Sequence, residues 1–261
     1  MNILVCLKMV SRATYTDMLC ADDASDDRLS GGAIEINPAD AYALETALKL
    51  KDRYGAHVTV LSMSPMLAEP MLRRALAMGA DEAVLVCDRI FAGSDTIATA
   101  KTLSAALKAL PRQDMIFCGS KAIDSETGHI GAQLAALNEL RYMGGVLAVN
   151  ELRDGRLCVK HAGKHGAEEY SLVLPAVFSI INGTGMIRSP TIFGLRSSAK
   201  REIRIMTGDT LHLTAEQAGK NASGTETVRI DRLSFAHRHG AYTDDVHDGA
   251  AGLAEMLECA K

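Results

Sequence analysis

Runs of aliphatic and β-branched residues, each followed by a longer helical pattern, constrain this chain more than any other feature. Ile3 to Leu7, His57 to Met63, Ala83 to Cys87 and Met115 to Cys118 are apolar almost throughout. A strand wet on one face would alternate apolar and polar residues. Continuous apolar runs separated by helices belong instead to a parallel sheet covered on both faces. The intervening pattern from Pro38 to Tyr54 shows the logic. Pro38 suits a first helical turn, Ala43, Leu44, Ala47, Leu48 and Leu50 recur at helical spacing, and Gly55 ends the helix. Similar patterns run from about Leu67 to Met78, closed by Gly79, from Asp95 to Leu110, stopped by Pro111, and near Gly131 to Leu140. With right-handed crossovers, this is a doubly wound α/β domain with a parallel sheet and flavodoxin-like, adenine-nucleotide-binding layering.

Around residue 145 the rhythm changes. Val146 to Val149, Arg156 to His161, Glu168 to Leu174 and Ala176 to Ile181 are strand-like with no helix between them. Asp154-Gly155 and the stretch from Gly163 to Gly166 supply turn chemistry, so these runs are expected to form an antiparallel extension of the sheet. The boundary of the α/β domain with its extension is set at residues 1–187. Residues 188–261 lose periodicity until a short helix near Asp248 to Cys259. A long stretch that cannot bury itself is expected to act as a C-terminal arm wrapped around another subunit.

The chain has a net charge of only −4 and no long basic run, which argues against nucleic acid as a partner. Trp is absent and aromatic residues are scarce, so no stacking platform for bases is expected. No apolar stretch approaches the length of a membrane span, and Lys8 follows the first apolar run rather than preceding it as in a signal peptide. The sequence therefore implies a cytoplasmic protein with no membrane insertion. Its six cysteines are scattered, with no C-x-x-C pair, and are expected to be structural thiols.

In a doubly wound sheet, ligands sit beyond the carboxyl ends of the strands, where the strand order reverses. Three segments occupy such ends: Lys8-Met9-Val10, the helix-opening Asn37-Pro38-Ala39-Asp40, and the loop from Gly119 to Gly131. The last combines three glycines and several hydroxyls with a helix start directly behind it, a composition suited to cradling phosphate on backbone N–H groups. Ser125 and Thr127 are potential donors to phosphate, and Asp124 either caps the helix or accepts from a ribose or an amide. From spacing alone a plain capped loop stays open beside phosphate binding, because no G-x-G-x-x-G or Walker pattern is present. No catalytic constellation stands out. His161 and His165 flank a turn and are expected in solvent. Asp22, Asp23, Asp26 and Asp27 fail the spacing of a calcium loop, and no metal site is expected. The absence of acid/base machinery points to a binder or cofactor carrier.

At these segments the chain resembles the beta subunits of electron-transfer flavoproteins. The resemblance is carried by Ile3-Leu-Val-Cys-Leu-Lys8, Ile36-Asn-Pro-Ala-Asp-Ala-Tyr-Ala-Leu-Glu45, Val60-Leu-Ser-Met63 and Ala75-Leu-Ala-Met-Gly-Ala-Asp81. Phe91-Ala-Gly-Ser-Asp-Thr96, Cys118-Gly-Ser-Lys-Ala-Ile-Asp124, Leu174-Pro-Ala-Val177 and Pro190-Thr191 continue it. The chain departs from the family pattern at Met9-Val10-Ser11-Arg12 and at Lys164-His165-Gly166. Carried over by position, the resemblance implies nucleotide contacts at Cys6, Asn37, Pro38, Ala39, Asp40 and Met63. It adds Gly119, Ser120, Lys121, Ala122, Ile123, Asp124, Ser125, Glu126, Thr127, Gly128, His129 and Ile130. It also implies that the segment from Ser189 to Ser198 is a recognition loop, with Pro190, Thr191 and Ile192 docking on a partner dehydrogenase.

The resemblance implies an electron carrier that works only in a complex: a heterodimer with an alpha subunit that holds its own FAD, and a flavin dehydrogenase such as an acyl-CoA dehydrogenase as redox partner. In this subunit the nucleotide is AMP in housekeeping members and a second FAD in electron-bifurcating members. Ile130 stands where AMP-binding members tend to place Thr, and Pro190-Thr191-Ile192-Phe193-Gly194-Leu195 is similar to the bifurcating branch, so FAD is favoured over AMP. In that branch NADH delivers the hydride. Alternatives are an ATP- or AMP-binding module similar to universal stress proteins, which lack so long a tail, and a purely structural subunit with a degenerate pocket.

Overall fold

A computed structural model of the chain describes residues 1–11, 34–183, 185–226, 228 and 243–259. The acidic cluster Asp22 to Asp27, together with Cys20, His237 and His239, lies outside the described residues. The core of the sheet is the parallel set β1 (Asn2–Cys6), β4 (His57–Met63), β5 (Glu82–Val86) and β6 (Met115–Gly119). Helices α1 (Pro38–Tyr54), α2 (Glu69–Met78), α3 (Thr96–Lys108) and α4 (Ile130–Leu137) cover it, while β2 (Met9–Ser11) and β3 (Ile34–Ile36) pair as a separate antiparallel ribbon.

Both faces of the sheet are buried, as the continuous apolar runs require. Ile3, Val5 and Leu7 pack into the layer that holds Leu44 and Leu48 of α1 and Leu72 of α2. Leu4 and Cys6 pack into the opposite layer with Leu103 of α3 and Leu134 of α4. Each such side chain contributes about 1.5–3 kcal/mol when fully buried, so alternate residues of one strand weld both helix layers to the sheet. Gly55 ends α1 in the left-handed conformation (φ 66°), its N–H donating to the carbonyl of Lys51.

The extension holds one surprise. β7 (Arg141–Arg153), β8 (Arg156–Gly163) and β9 (Gly166–Val173) form the expected antiparallel ribbon, turned at Asp154 and Gly155, both with positive φ. However, β10 (Ala176–Ile180) is not part of that ribbon: it lies between β6 and β7, parallel to both. All five of its residues are buried, which an edge ribbon cannot provide but a central position can. The ribbon itself serves as the connection that a crossover helix makes elsewhere. His161 also differs from expectation. It is half-buried, its Nδ1 2.8 Å from the carbonyl of Gly144 and its ring edge-on to Tyr170.

Beyond residue 187 the chain returns to the sheet. α5 (Ile192–Ser198) packs on α2, and β11 (Arg204–Met206) adds in parallel beside β5. α6 (Gly208–Leu211) and a helical turn at Gly219–Ala222 follow, with Met206, Leu211 and Ala218 buried. Elements of three or four residues are too short to show a period, which is why the sequence looks patternless there. The sheet order is thus β11-β5-β4-β1-β6-β10-β7-β8-β9, and residues Met1–Val228 form one compact unit. Within a second unit, Arg229–Lys261, helix α7 (Val246–Cys259) starts at Asp245, whose carboxylate accepts from the N–H groups of His247 and Asp248. Leu253, Met256 and Leu257 recur at helical spacing on its surface. Among the described residues no helix is long and apolar enough to cross a membrane.

Candidate functional site

From β1 the chain builds outward through β4 to β5, then returns to the other side of β1 as β6. The strand order therefore reverses between β1 and β6, and a cavity of about 1000 Å³ opens over their carboxyl ends. Cys6 and Cys118 form its floor from adjacent strands. The Cys118 thiol is held well above its usual range by its hydrogen bond with Cys6 and by burial. A thiol so held is a packing group, not a nucleophile.

The walls are fixed by two buried side chains at the start of α1. Asp40 accepts from the N–H of Lys8 at 2.7 Å and from that of Gly119 at 2.8 Å, clamping the ends of β1 and β6 together. Asn37 does not cap its own helix. Its Nδ2 donates to the carbonyl of Lys121 at 3.0 Å and its Oδ1 accepts from the N–H of Ile123 at 3.1 Å, stapling the loop that leads from β6 to α4. Burial raises the Asp40 carboxyl to about 6, against the opposing pull of the two N–H groups, Asn37 and the nearby Lys8 charge. The folded state thus binds this proton more tightly than the unfolded state. Its contribution to stability is complete below pH 3.8 and is lost as pH rises through about 6. Relative to Asp40→Asn, which cannot titrate, the wild-type chain is expected to lose stability between pH 4 and 7 in denaturant midpoints. A flat difference over that range would refute the titration.

Three helices begin at the cavity wall: α1, whose Asn37 and Asp40 bond the neighbouring backbone, and α3 and α4, which differ in one respect. α3 is capped: Asp95 accepts from the N–H of Ala98 at 2.9 Å, and its other oxygen takes the N–H groups of Gly224 and Thr225. α4 has no side-chain cap, so the first-turn N–H groups behind Gly128-His129 lack a side-chain acceptor. Gly128 (φ 65°) turns the loop there, where a Cβ would lie 2.9 Å from the carbonyl of Ser120. The start of α4 thus leaves its first-turn donors without a side-chain acceptor, where the start of α3 does not.

Each lysine on the cavity wall is matched with a carboxylate: Lys8 with Asp124 at 2.6 Å, Lys121 with Glu126 at 2.8 Å and Lys220 with Glu226 at 2.9 Å.

Most of the residues expected to contact a nucleotide come together here. Cys6, Asn37, Asp40, Met63, Gly119, Ser120, Lys121, Ala122, Asp124, Ser125, Thr127, Gly128, His129 and Ile130 line the cavity. Pro38, Ala39, Ile123 and Glu126 do not: Ala39 packs against Gly119, the N–H of Ile123 donates to Asn37, and Glu126 pairs with Lys121 in solvent. Lys8, named from the sequence as part of a strand-end segment, is also on the wall; sequence reasoning missed Phe91, the stretch from Gly93 to Ile97, Gln133, and Lys220, Thr225 and Glu226. The first of these stretches was legible as part of the motif around Phe91 to Thr96. The last three come from the patternless segment after β11.

Elsewhere on the surface, Pro190 is half-buried, and Thr191 caps α5 by accepting from the N–H of Gly194 at 2.9 Å. Ile192 and Phe193 lie side by side with more than four-fifths of their surface in solvent.

Residues 30–203 match the family described as "Electron transfer flavoprotein domain". The chain is 36% identical over 259 residues to the electron transfer flavoprotein subunit beta of Thermoanaerobacterium thermosaccharolyticum, covering 98% of each. It is 35% identical over 231 residues to the caffeyl-CoA reductase-Etf complex subunit CarD of Acetobacterium woodii, covering 88% of this chain and 87% of that one. To the acryloyl-CoA reductase electron transfer subunit gamma of Anaerotignum propionicum it is 43% identical over 172 residues, 61% of this chain and 64% of the other.

Proposed function

The chain belongs to the electron transfer flavoprotein family as a beta-type, electron-transferring subunit, and from that membership we propose that the cavity over β1 and β6 holds the adenylate part of an FAD. The observation that supports this reading most directly is the uncapped start of α4 beside Gly119 and Gly128, in a cavity otherwise floored by inert thiols. The glycines leave room for a diphosphate to approach the backbone, and the free N–H groups would hold it. Ser125 and Thr127 stand on the same loop as further donors, and Asp124 as an acceptor for a ribose hydroxyl. A bound FAD supplies hydride and single-electron chemistry; the residues around it bind, orient and exclude water.

FAD is favoured over AMP on Ile130, and an open cavity of about 1000 Å³ leaves room for a dinucleotide. Two relatives are named for reductases of caffeyl-CoA and acryloyl-CoA. We therefore assign this subunit a flavin dehydrogenase or reductase of an acyl-CoA as redox partner, with Pro190, Thr191 and Ile192, joined by Phe193, as the docking surface. The alpha subunit, carrying its own FAD, completes the heterodimer, and the segment after Val228 with α7 is the arm that grips it.

The test is chemical. The chain is co-expressed with its alpha subunit, the complex is denatured, and the released flavin and AMP are quantified. Two FAD per heterodimer and no AMP is the expected result. One FAD with one AMP would reassign the cavity to AMP and the protein to a simple shuttle, and no released nucleotide would end the nucleotide reading.

A further inference from the structure

We propose that Lys8 is a phosphate-binding residue held in reserve by Asp124, which gives it up when a nucleotide arrives. The inference rests on the nucleotide reading above and deepens it by naming the cation that takes the phosphate charge.

The backbone of Lys8 is pinned on both sides. Its N–H donates to the Asp40 carboxylate at 2.7 Å and its carbonyl accepts from the N–H of Asn37 at 2.9 Å. Only the side chain is left to move, and it reaches across the cavity to the Asp124 carboxylate at 2.6 Å. That pair differs from the other two lysine pairs of the wall. Lys121 and Lys220 are each more than half exposed, and their glutamate partners are more than three-fifths exposed, so both are rim pairs of little energetic weight. Asp124 is only 16% exposed and Lys8 40%. The Lys8 ammonium is therefore the most sheltered of these cations, beside the loop whose far end is the uncapped start of α4.

A phosphate seated on this loop brings up to two negative charges to a wall on which a single carboxylate neutralises the Lys8 ammonium. An ammonium is a compact point charge with three donors, and a flexible stem lets it turn between acceptors. The more highly charged acceptor takes it, and Asp124 is released to accept from a hydroxyl of the ligand. Paired, Lys8 and Asp124 match each other's charge; with a nucleotide at the wall each finds a new partner. The exchange makes affinity depend on the phosphate and on Lys8 together.

The full chain, purified with its alpha subunit and stripped of nucleotide, is titrated calorimetrically with AMP and with adenosine. Lys8→Gln is expected to weaken AMP by roughly tenfold or more, the loss of one charge-assisted hydrogen bond, and to change adenosine by less than about twofold. Lys8→Arg, which keeps the charge, is expected to restore most of the AMP affinity. Asp124→Asn removes the competing charge but keeps an acceptor oxygen for the ligand hydroxyl, so its effect on AMP is expected to be smaller than that of Lys8→Gln. AMP bound equally well by wild type and Lys8→Gln, or AMP and adenosine weakened alike, overturns the role of Lys8 while leaving a nucleotide site in place. Wild-type protein that binds neither probe overturns the nucleotide reading and this inference with it. If Lys8→Gln yields no folded complex, Lys8→Arg and Asp124→Asn decide: a tenfold loss of AMP affinity in both would mean that the pair is a structural tie and not a reserve.

Discussion

An alanine at position 119 is expected to cost about 3 kcal/mol of unfolding free energy and to empty the cavity of its nucleotide. Gly119 ends β6 where α1 comes closest to the sheet. A Cβ there would overlap the Asp40 carboxylate oxygen and lie 2.7 Å from the Cβ of Ala39 and 2.8 Å from its backbone carbon. The obstacle is backbone and a buried carboxylate, neither of which can swing aside. To admit one methyl group the first turn of α1 must lift, and the Gly119 N–H then loses its 2.8 Å bond to Asp40. The lift also carries Asn37 away from Lys121 and Ile123, so the loop over the cavity loses its staple. Gly55→Ala is the informative control. It places a Cβ at φ 66° with nothing within 4 Å, so it strains the backbone by about 1 kcal/mol but touches neither clamp. Chemical denaturation and the nucleotide content of the purified complex measure both effects. Equal behaviour of the two variants would mean that the contact between β6 and α1 is not what shapes the site.

The sequence was most informative where one element fills one role. Pro38 to Tyr54 and His57 to Met63 were legible to the residue, because proline, glycine and an unbroken apolar period mark their ends. The position of the site was legible too, since it follows from strand ends and a loop rich in glycine. What escaped was of two kinds. β10 was read as antiparallel because nothing in five buried residues reports the direction of a neighbour; only the closed packing between β6 and β7 decides it. The Lys220 to Glu226 wall escaped because it is held by hydrogen bonds from Gly224 and Thr225 to Asp95 and from the N–H of Lys220 to the carbonyl of Ala92, which leave no periodic trace. The division of labour inside Asn37-Pro38-Ala39-Asp40 was also hidden. A motif shows that polar residues stand at a strand end. It does not show that their polar atoms face the backbone of the loop, so that Asn37 and Asp40 shape the cavity from within its wall.

The second large effect is expected at Arg188, far from the cavity but tied to the same helix. Its guanidinium donates to both carboxylate oxygens of Glu45, at 2.9 and 3.2 Å, and its own N–H adds a third bond at 3.1 Å. A further N–H reaches Asp52 at 2.7 Å. Glu45 is buried and Asp52 is exposed, so the two partners carry unequal weight. Arg188→Ala leaves the Glu45 carboxylate in the protein interior without its cation, a situation that costs roughly 3 kcal/mol. Asp52→Asn removes only an exposed partner and is expected to change stability by less than about 0.5 kcal/mol. Glu45→Gln combined with Arg188→Ala should recover part of the loss, since no uncompensated charge then remains buried. Denaturant unfolding of these variants, with Glu45→Gln alone and the wild type, reads these differences, and additivity of Glu45→Gln and Arg188→Ala in the double variant would sink the pairing. The consequence for function lies two residues further on. Arg188 fixes the chain at the point where it leaves α1 for Pro190 and α5, while Arg73 holds the other end of α5 by donating to the carbonyls of Ser198 and Arg201 at 3.0 and 3.1 Å. Ile192 and Phe193 are therefore presented from a segment anchored at both ends, and a partner that meets them there spends little entropy in ordering the surface. An Arg188→Ala complex that keeps its nucleotides but is reduced more slowly by its dehydrogenase, with a raised KM, is the expected functional outcome. An unchanged KM would mean that α5 holds its place without the arginine.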